Sequence, residues 1–235
     1  MNSSGKIYGI GVGPGDSDLL TVRAVRVLEK VDVVFAASST KNEYSHSLEI
    51  ASEFVREDCE VVKLGYPMTR DKDVLNRAWE ENCRIACKVL TGGRTAAFLT
   101  LGDPLIYSTF GYMMQTMKRL FPKVEFEVVP GITSYQAAAA RSQQVLVESG
   151  QNLLLTSGVA DAGKFAESLE NVDNAVILKA YRNFPELRER VNAMDNMDVK
   201  FYTRLGLDGE AIYLDINEVP EKTTYLSLML LTAKK

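Results

Sequence analysis

The chain has 235 residues and a mass of 26.1 kDa, which fits one large or two small domains if a domain takes about 150 residues. Its 27 Lys and Arg residues against 31 Asp and Glu residues give a net charge of -4. This balance excludes a nucleic-acid binder that relies on a chain-wide positive field, though not one with a local basic patch. A hydrophobic share of 46% with 25% charged residues is typical of folded globular chains and excludes wholesale disorder.

In the first half of the chain, apolar segments of strand length alternate with segments of helical periodicity. The clearest helical pattern lies between Asp71 and Leu90, where Leu75, Ala78 and Trp79 begin an apolar series at helical spacing. The predicted strands cover residues 6–12, 31–37 and 95–101, and the predicted helices cover residues 16–28, capped by Asp16 or Ser17, and 71–90.

The pattern restarts after Phe121, where Pro122 follows a helix and precedes a new strand. We therefore predict a domain boundary near Phe121, with domains 1–121 and 122–235. The alternation along the whole chain predicts an α/β fold built on largely parallel strands. In the second half, the predicted strands cover residues 124–129, 152–156, 175–180, 199–203 and 225–232, and the predicted helices cover residues 134–141, 164–169 and 184–194.

Three glycine-bearing turns follow predicted strands. The first, residues 9–16, lies between a strand and a helix, where glycines let backbone N–H groups approach a ligand. The second, residues 100–109, contains a Gly-Asp-Pro turn, and the third, residues 129–134, reads Val-Pro-Gly-Ile-Thr-Ser. Because ligands of α/β sheets bind at the carboxyl ends of the strands, the three turns together predict one extended crevice.

Each turn alone also fits a purely structural interpretation. The first could connect a strand to a helix without binding anything, Gly-Asp-Pro is a common turn tripeptide, and Thr133 or Ser134 could simply cap a helix. The first turn does not match the nicotinamide fingerprint G-x-G-x-x-G, because Pro14 and Asp16 occupy the two possible positions of the last glycine.

Other familiar sites are not indicated by the sequence. No Walker A lysine follows the glycine turn, and no G-x-S-x-G elbow occurs. Cys83 and Cys87 lie four residues apart, but with one other cysteine and a single histidine we expect buried packing and no metal site. We expect His46 to lie in a surface loop.

The sequence favours a cytoplasmic location. Cys59, Cys83 and Cys87 are an odd and sparse set, which is typical of a reducing compartment. No apolar run approaches the roughly 18 residues that span a bilayer, so we expect no membrane partner. Glycines within residues 1–15 interrupt the apolar core that a signal peptide would need, so we do not expect secretion.

In this order and spacing, the three turns resemble the signatures of the tetrapyrrole methylase family, whose members use S-adenosylmethionine. The resemblance extends from Lys6 to Leu231. It implies two α/β domains, the N-terminal one with a mainly parallel sheet and the C-terminal one with a mixed sheet that completes the cofactor site. It also implies a homodimer in which the cofactor and a small-molecule tetrapyrrole share a trough, with no nucleic-acid partner.

Within the family, the chain looks most like the branch that methylates C20 of precorrin-2 or cobalt-factor II in cobalamin biosynthesis. The residues that carry this likeness are Gly65 to Asp71, the helix bearing Trp79, and the segment 100–114. In the uroporphyrinogen branch a carboxylate, proposed as proton acceptor, ends the second strand. Here residues 33–38 contain no acid, which argues against that branch and leaves no assignable catalytic base.

The resemblance also implies particular contact residues. For the substrate, we predict contacts at Gly13, Arg70, Tyr107 and Arg182. The implied cofactor contacts are Pro14, Leu101, Gly102, Asp103, Ile106, Thr133, Ser134, Lys179, Ala180 and Leu205.

Because the implied substrate carries many carboxylates while the protein is itself acidic, we expect two or three cations to line the trough. The candidates are Arg23, Arg70, Lys72, Arg141, Arg182 and Arg204. Two alternatives stay open: a methyltransferase of this fold acting on another tetrapyrrole carbon or on an RNA or protein, and a non-catalytic S-adenosylmethionine-binding protein.

Overall fold

The computed structural model describes residues 5–39, 45–67, 69, 71–90, 92–159, 161–169 and 171–234. The chain divides into two compact units, Met1–Thr133 and Ser134–Lys235. Within the described ranges, no helix is both long enough and apolar enough to cross a membrane.

The first unit is built on a five-stranded sheet in which every neighbouring pair of strands is parallel. Its strands, in the order β3-β2-β4-β1-β5 across the sheet, are β1 Lys6–Gly11, β2 Val33–Ser39, β3 Glu60–Tyr66, β4 Thr95–Thr100 and β5 Glu125–Val129. The connection after β1 leads towards β2, whereas the connection after β4 leads towards β5 on the opposite side. Ligand crevices of α/β sheets open where neighbouring strands diverge in this way, here at the carboxyl ends of β1 and β4.

Four α-helices accompany this sheet: α1 Val22–Leu28, α2 His46–Ala51, α3 Lys72–Leu90 and α4 Thr109–Leu120. The prediction of a single helix over residues 16–28 is wrong, because the segment divides into a 3-10 turn, Ser17–Leu19, and the helix α1. Asp16 caps the 3-10 turn. Thr21 caps α1, where its hydroxyl accepts a 3.2 Å hydrogen bond from Ala24 N–H. His46 is the first residue of α2, so the expectation that it lies in a surface loop is wrong.

One apolar cluster of the first unit lies between the sheet and the pair α3 and α4. Phe98 of β4 packs against Phe110 of α4 with ring centroids 5.6 Å apart, and both side chains are fully buried. Gly9 in β1 makes room for this packing, since a Cβ there would overlap the Phe110 ring. Cys83 of α3 is buried in the same cluster, and its burial raises the pKa of the thiol to about 11, so this thiol stays protonated and packs as an apolar group.

The second unit contains a mixed five-stranded sheet. Its strands, in the order β6-β7-β10-β8-β9 across the sheet, are β6 Leu153–Ser157, β7 Asn174–Leu178, β8 Met197–Thr203, β9 Ala211–Tyr213 and β10 Ser227–Ala233. Only β6 and β7 pair in parallel, and β10 is antiparallel to both of its neighbours. The helices are α5 Ser134–Arg141, α6 Ala162–Ser168 and α7 Phe184–Asn192.

Each face of the second sheet carries its own apolar cluster, because successive strand side chains point to opposite faces. Ile177 and Phe201 belong to the cluster that includes α7, with the Phe184 ring 5.0 Å from the Phe201 ring. Val176 and Tyr202 belong to the cluster that includes α5. The predicted fold class, two α/β units with a parallel first sheet and a mixed second sheet, is confirmed.

The boundary between the units differs from the predicted one near Phe121. β5 pairs in parallel with β1, as in the register Ile10 opposite Val129, and therefore belongs to the first sheet. The first unit accordingly continues to Thr133, and the second begins with α5. Pro122 marks the end of α4 inside the first unit.

Candidate functional site

The three glycine-bearing turns of the first unit meet at the carboxyl ends of β1, β4 and β5. Val12 N–H donates to the Thr100 carbonyl at 3.0 Å, and Gly102 N–H donates to the Gly13 carbonyl at 2.7 Å, so the first two turns are joined by main-chain bonds. Gly13 and Gly102 form an isolated antiparallel bridge. The predicted convergence of these turns is therefore present within this unit.

Two of the glycines allow a backbone approach that a side chain would block. A Cβ on Gly11 would lie 2.6 Å from the Gly131 nitrogen, and a Cβ on Gly131 would overlap the Gly102 carbonyl oxygen. Gly102 has φ +69, and the nearest atom to its absent Cβ is the Thr133 Cα at 3.9 Å. The turns thus pack backbone against backbone, and space remains beside Gly102.

Asp103 braces the second turn against the third. Its Oδ1 accepts a 2.8 Å hydrogen bond from Leu105 N–H, and its Oδ2 accepts one of 3.1 Å from Gly131 N–H. Because both carboxylate oxygens already serve the backbone, the side chain of Asp103 fixes the shape of the site, and the groups left for a ligand come chiefly from the main chain.

The turn that follows Asp103 presents side chains to solvent. Leu105 is 56% exposed and Tyr107 is 52% exposed. Tyr107 has φ 47, a left-handed conformation that is rare for residues other than glycine. Ser108 stabilises this conformation from the next position, since its hydroxyl contacts Thr100 Oγ1 at 2.8 Å and accepts from Phe110 N–H at 3.1 Å.

The remaining predicted residues of the first unit have mixed environments. Pro14 and Thr133 are buried, Leu101 and Ile106 are half-buried, and Ser134 opens α5 directly after Thr133. Arg70 lies outside the described residues, so the structure does not place it.

Lys179 and Arg182 form a cluster with two tyrosines after β7 in the second unit. The Lys179 Nζ lies 5.8 Å from the centre of the Tyr225 ring, and the Tyr181 and Tyr225 rings are 5.6 Å apart. Arg182 Nε donates to the Tyr181 hydroxyl at 3.3 Å. This bond raises the pKa of the Arg182 guanidinium, which keeps the group charged at every physiological pH. Both positive charges therefore lie beside aromatic rings.

The backbone of this cluster is held by β10 and by unusual torsions. Ala180 N–H donates to the Ser227 carbonyl at 3.2 Å, and Tyr181 N–H donates to the Ser227 hydroxyl at 2.9 Å. Lys179 has φ 54, again in the left-handed region. Ala180 itself is fully buried, so it packs beneath the cluster.

Tyr181 and Tyr225 are site residues that the sequence did not identify. Tyr181 follows directly on the predicted pair Lys179 and Ala180, which was the available signal. Tyr225 comes from a different part of the chain and belongs to no motif, so only the antiparallel return of β10 brings it there.

Several candidate cations are already engaged by other groups of the protein. Arg23 pairs with Glu127, and Arg141 pairs with Glu210 through two 3.1 Å contacts. Arg204 Nε donates to the Asp208 carbonyl. Arg182, a further candidate, lies close to Lys179 and Ala180, the cofactor contacts that the resemblance implies after β7. Lys72 is the first residue of α3. The described residues contain no group of three His, Cys, Asp or Glu side chains that could hold a metal ion.

Comparison with known proteins gives this site a family context. The chain is 34% identical over 229 residues to a probable cobalt-precorrin-2 C(20)-methyltransferase of Methanocaldococcus jannaschii, which covers 96% of this chain and 95% of that protein. It is 32% identical over 185 residues to the cobalt-precorrin-2 C(20)-methyltransferase of Salmonella typhimurium, covering 79% and 77% of the two chains. A precorrin-2 C(20)-methyltransferase of Sinorhizobium is 28% identical, covering 98% of this chain and 96% of that protein.

The solved structures agree at the level of the fold. The crystal structure of a cobalt precorrin-4 methyltransferase superposes with a TM-score of 0.70 and 20% identity, covering 97% of this chain and 94% of that chain. Residues 6–219 match the sequence profile of the Tetrapyrrole (Corrin/Porphyrin) Methylases. This match spans most of both units, including all three turns, and the chain therefore belongs to the tetrapyrrole (corrin/porphyrin) methylase family.

Proposed function

We propose that this protein is an S-adenosylmethionine-dependent methyltransferase that methylates C20 of precorrin-2 or cobalt-factor II in cobalamin biosynthesis. The observation that carries the proposal is the 34% identity over 96% of the chain to a relative named for this activity. The meeting of the three turns in the first unit supports the methyltransferase part of the proposal, because those turns hold the motifs by which the chain resembles the family.

The turns of the first unit fit the methyl donor through their backbone. Open space lies beside Gly102, where a Cβ would meet no atom nearer than 3.9 Å, and the side chain of Asp103 holds the neighbouring backbone through Gly131 N–H. S-adenosylmethionine would supply an electrophilic methyl group on a positively charged sulfur. We propose that Pro14, Ile106, Thr133 and Ser134 in the three turns, and Lys179, Ala180 and Leu205 after later strands, complete its contacts.

The contribution of this chain to the reaction is positioning. Orientation of two reactants at near-attack distance can supply roughly 7–11 kcal/mol of a barrier, without any proton transfer. A meso carbon of a partly reduced tetrapyrrole is enamine-like and already nucleophilic, so no strong base is required before the new carbon–carbon bond forms. The proton displaced from C20 can then leave to solvent water. The rigid backbone junction at Gly11, Gly102 and Gly131 is suited to that role, because its atoms cannot separate without breaking the sheet edge.

Substrate carboxylates are proposed to pair with Arg182, and Tyr107 and Gly13 are proposed to contact the macrocycle. Arg182 keeps its charge and is exposed at the end of the aromatic cluster. Arg70 is proposed as a second partner on the resemblance alone.

The ionic strength of the assay should therefore affect one substrate more than the other. Raising salt from about 0.05 M to 0.5 M shortens the Debye length to roughly a third, so we expect the KM for the tetrapyrrole to rise several-fold. The KM for S-adenosylmethionine should change much less, because its proposed contacts are mainly main-chain groups. Steady-state kinetics at both salt concentrations measures this, and a tetrapyrrole KM indifferent to salt would count against charge pairing.

Methyl transfer itself is tested by incubation with S-adenosylmethionine and precorrin-2, with and without inserted cobalt, followed by mass spectrometry. The expected product gains the mass of one methyl group in at least one of the two reactions. No gain in either reaction would reject the proposed function and leave a non-catalytic binding protein or a different acceptor. The relatives carry both names, cobalt-precorrin-2 and precorrin-2, so the two reactions also decide which form the enzyme prefers.

We further propose that the protein is a cytoplasmic homodimer that binds neither nucleic acid nor membrane. The dimer rests on the family resemblance, and multi-angle light scattering of the purified protein tests it. The cytoplasmic location is supported by Cys59, Cys83 and Cys87, which are all free thiols.

A further inference from the structure

The loop 204–210, between β8 and β9, is connected to α5 by a bidentate ion pair. Arg141, the last residue of α5, donates from Nε to Glu210 Oε1 and from Nη2 to Glu210 Oε2, both at 3.1 Å. Glu210 lies at the far end of the loop, directly before β9. Paired parallel bonds of this kind fix the orientation of both groups as well as their separation.

Glu210 also closes the loop on itself. Its Oε2 accepts a 2.7 Å hydrogen bond from Gly206 N–H, while Leu207 N–H donates to the Arg204 carbonyl at 2.9 Å and Glu210 N–H to the Leu207 carbonyl at 3.0 Å. Burial alone would raise the pKa of Glu210, but the bond from Gly206 and the charge of Arg141 outweigh it and lower the pKa. The carboxylate is therefore ionised throughout the physiological range.

The loop needs such a tie because part of its backbone is in a sparsely populated conformation. Arg204 has φ 49 although it is not a glycine, and such residues persist only when their surroundings hold them. Leu205, next to it, is 7% exposed and packs in the same cluster as Ala138 of α5. Arg141 is one turn of the helix beyond Ala138, so the ion pair and the apolar contact act on the same face of α5.

We propose that Arg141 and Glu210 are positioning residues that hold the loop 204–210 against α5 so that Leu205 keeps the place required for cofactor binding. This inference rests on the proposed function, in which Leu205 and Ser134, the first residue of α5, contact S-adenosylmethionine. Glu210 thereby connects the loop that carries Leu205 to the helix that begins at Ser134, and neither Arg141 nor Glu210 is itself a proposed cofactor contact.

The test uses two conservative variants of the full-length protein and one control. Glu210→Gln keeps the size of the side chain but removes its charge. Arg141→Lys keeps the positive charge but removes the bidentate hydrogen bonding of the guanidinium. Asp58→Asn is the matched control. Arg56 and Asp58 also form a bidentate ion pair, with hydrogen bonds of 2.7 and 2.6 Å. This pair is exposed and is remote in sequence from the three turns. Calorimetric titration with S-adenosylhomocysteine measures the dissociation constant of each.

We expect each of the two variants to raise this dissociation constant about tenfold, the effect of losing one charge-assisted bond, and the control to leave it unchanged. At saturating cofactor the kcat should stay within about twofold of wild type, since the reacting groups are not touched. Amide hydrogen exchange of residues 205–209 in the cofactor-free protein should accelerate in Glu210→Gln and not in Asp58→Asn.

Three results would overturn the inference, and they can be distinguished. If the wild-type protein binds S-adenosylhomocysteine and both variants bind it equally well, the positioning role is wrong and the proposed function stands. If the wild-type protein does not bind S-adenosylhomocysteine at all, the proposed function fails and the inference fails with it. Unchanged hydrogen exchange of residues 205–209 in Glu210→Gln would also show that the ion pair does not hold the loop in place.

Discussion

Replacing Gly131 with alanine is expected to lower the free energy of unfolding by about 3 kcal/mol, the upper end of the usual cost of overpacking, and to abolish S-adenosylhomocysteine binding. The new Cβ would overlap the Gly102 carbonyl oxygen and lie 2.7 Å from Gly11 Cα, so the backbone of three turns would have to separate. Backbone atoms cannot rotate away as the end of a long side chain can. Urea unfolding and calorimetric titration measure the two effects.

Gly111→Ala is the matched control for this experiment. Gly111 lies within α4, and a Cβ there would have nothing within 4 Å. Because alanine favours a helix interior by about 1 kcal/mol over glycine, this variant should be as stable as wild type or more stable, with unchanged ligand affinity. Equal behaviour of Gly131→Ala and Gly111→Ala would contradict the close packing of the turns.

Replacing Asp103 with asparagine should weaken cofactor binding by about one to two orders of magnitude, because an unsatisfied N–H costs roughly 1–3 kcal/mol. The single side-chain oxygen of asparagine can still accept the hydrogen bond from Leu105 N–H. Its NH2 group would then face the Gly131 N–H, so two donors would oppose each other where a 3.1 Å hydrogen bond exists now. Titration with S-adenosylhomocysteine measures the loss.

Asp215→Asn separates this effect from the general loss of a turn. Asp215 accepts a 2.8 Å bond from Asn217 N–H, the same local geometry as Asp103 with Leu105, but it lies in the second unit outside the proposed contacts. We expect this variant to leave ligand affinity unchanged. A loss of affinity as large as that of Asp103→Asn would show that the bridge to Gly131 has no special importance.

The large elements of the fold were predictable because their patterns are local. The helix predicted over 71–90 is observed as Lys72–Leu90, and α5 has the predicted bounds of 134–141. The strand β3 was missed although Val62, Leu64 and Tyr66 alternate along it and pack in the core cluster; it is an edge strand in which Leu64 alone is fully buried, so the pattern is short. The strand β9 was missed because three residues carry too little pattern.

The meeting of the three turns in the first unit was also predictable, since strand ends of a parallel sheet meet at one edge. What the sequence could not reveal are interactions between distant residues. The ion pair of Arg141 with Glu210 joins residues that are 69 positions apart, so the sequence could not show that this candidate cation has a carboxylate partner within the protein. The left-handed torsions of Tyr107 and Lys179 could not be foreseen either, because tertiary contacts impose them on residues other than glycine.

The absence of an acid at the end of β2 agrees with a mechanism based on orientation. Residues 33–38 carry no carboxylate, and the carboxylate of Asp103 is taken up by two backbone donors. An enzyme that works in this way should lose activity when its backbone junction is disturbed, as in Gly131→Ala, more than when any one titratable side chain is removed.

The most direct test of the proposed activity is to locate the transferred methyl group by nuclear magnetic resonance. S-adenosylmethionine with an isotope-labelled methyl group is incubated with the protein and with precorrin-2 or its cobalt-containing counterpart, and the product is isolated. The account predicts a single labelled methyl on C20. A label on another carbon of the macrocycle, or on none, would contradict it.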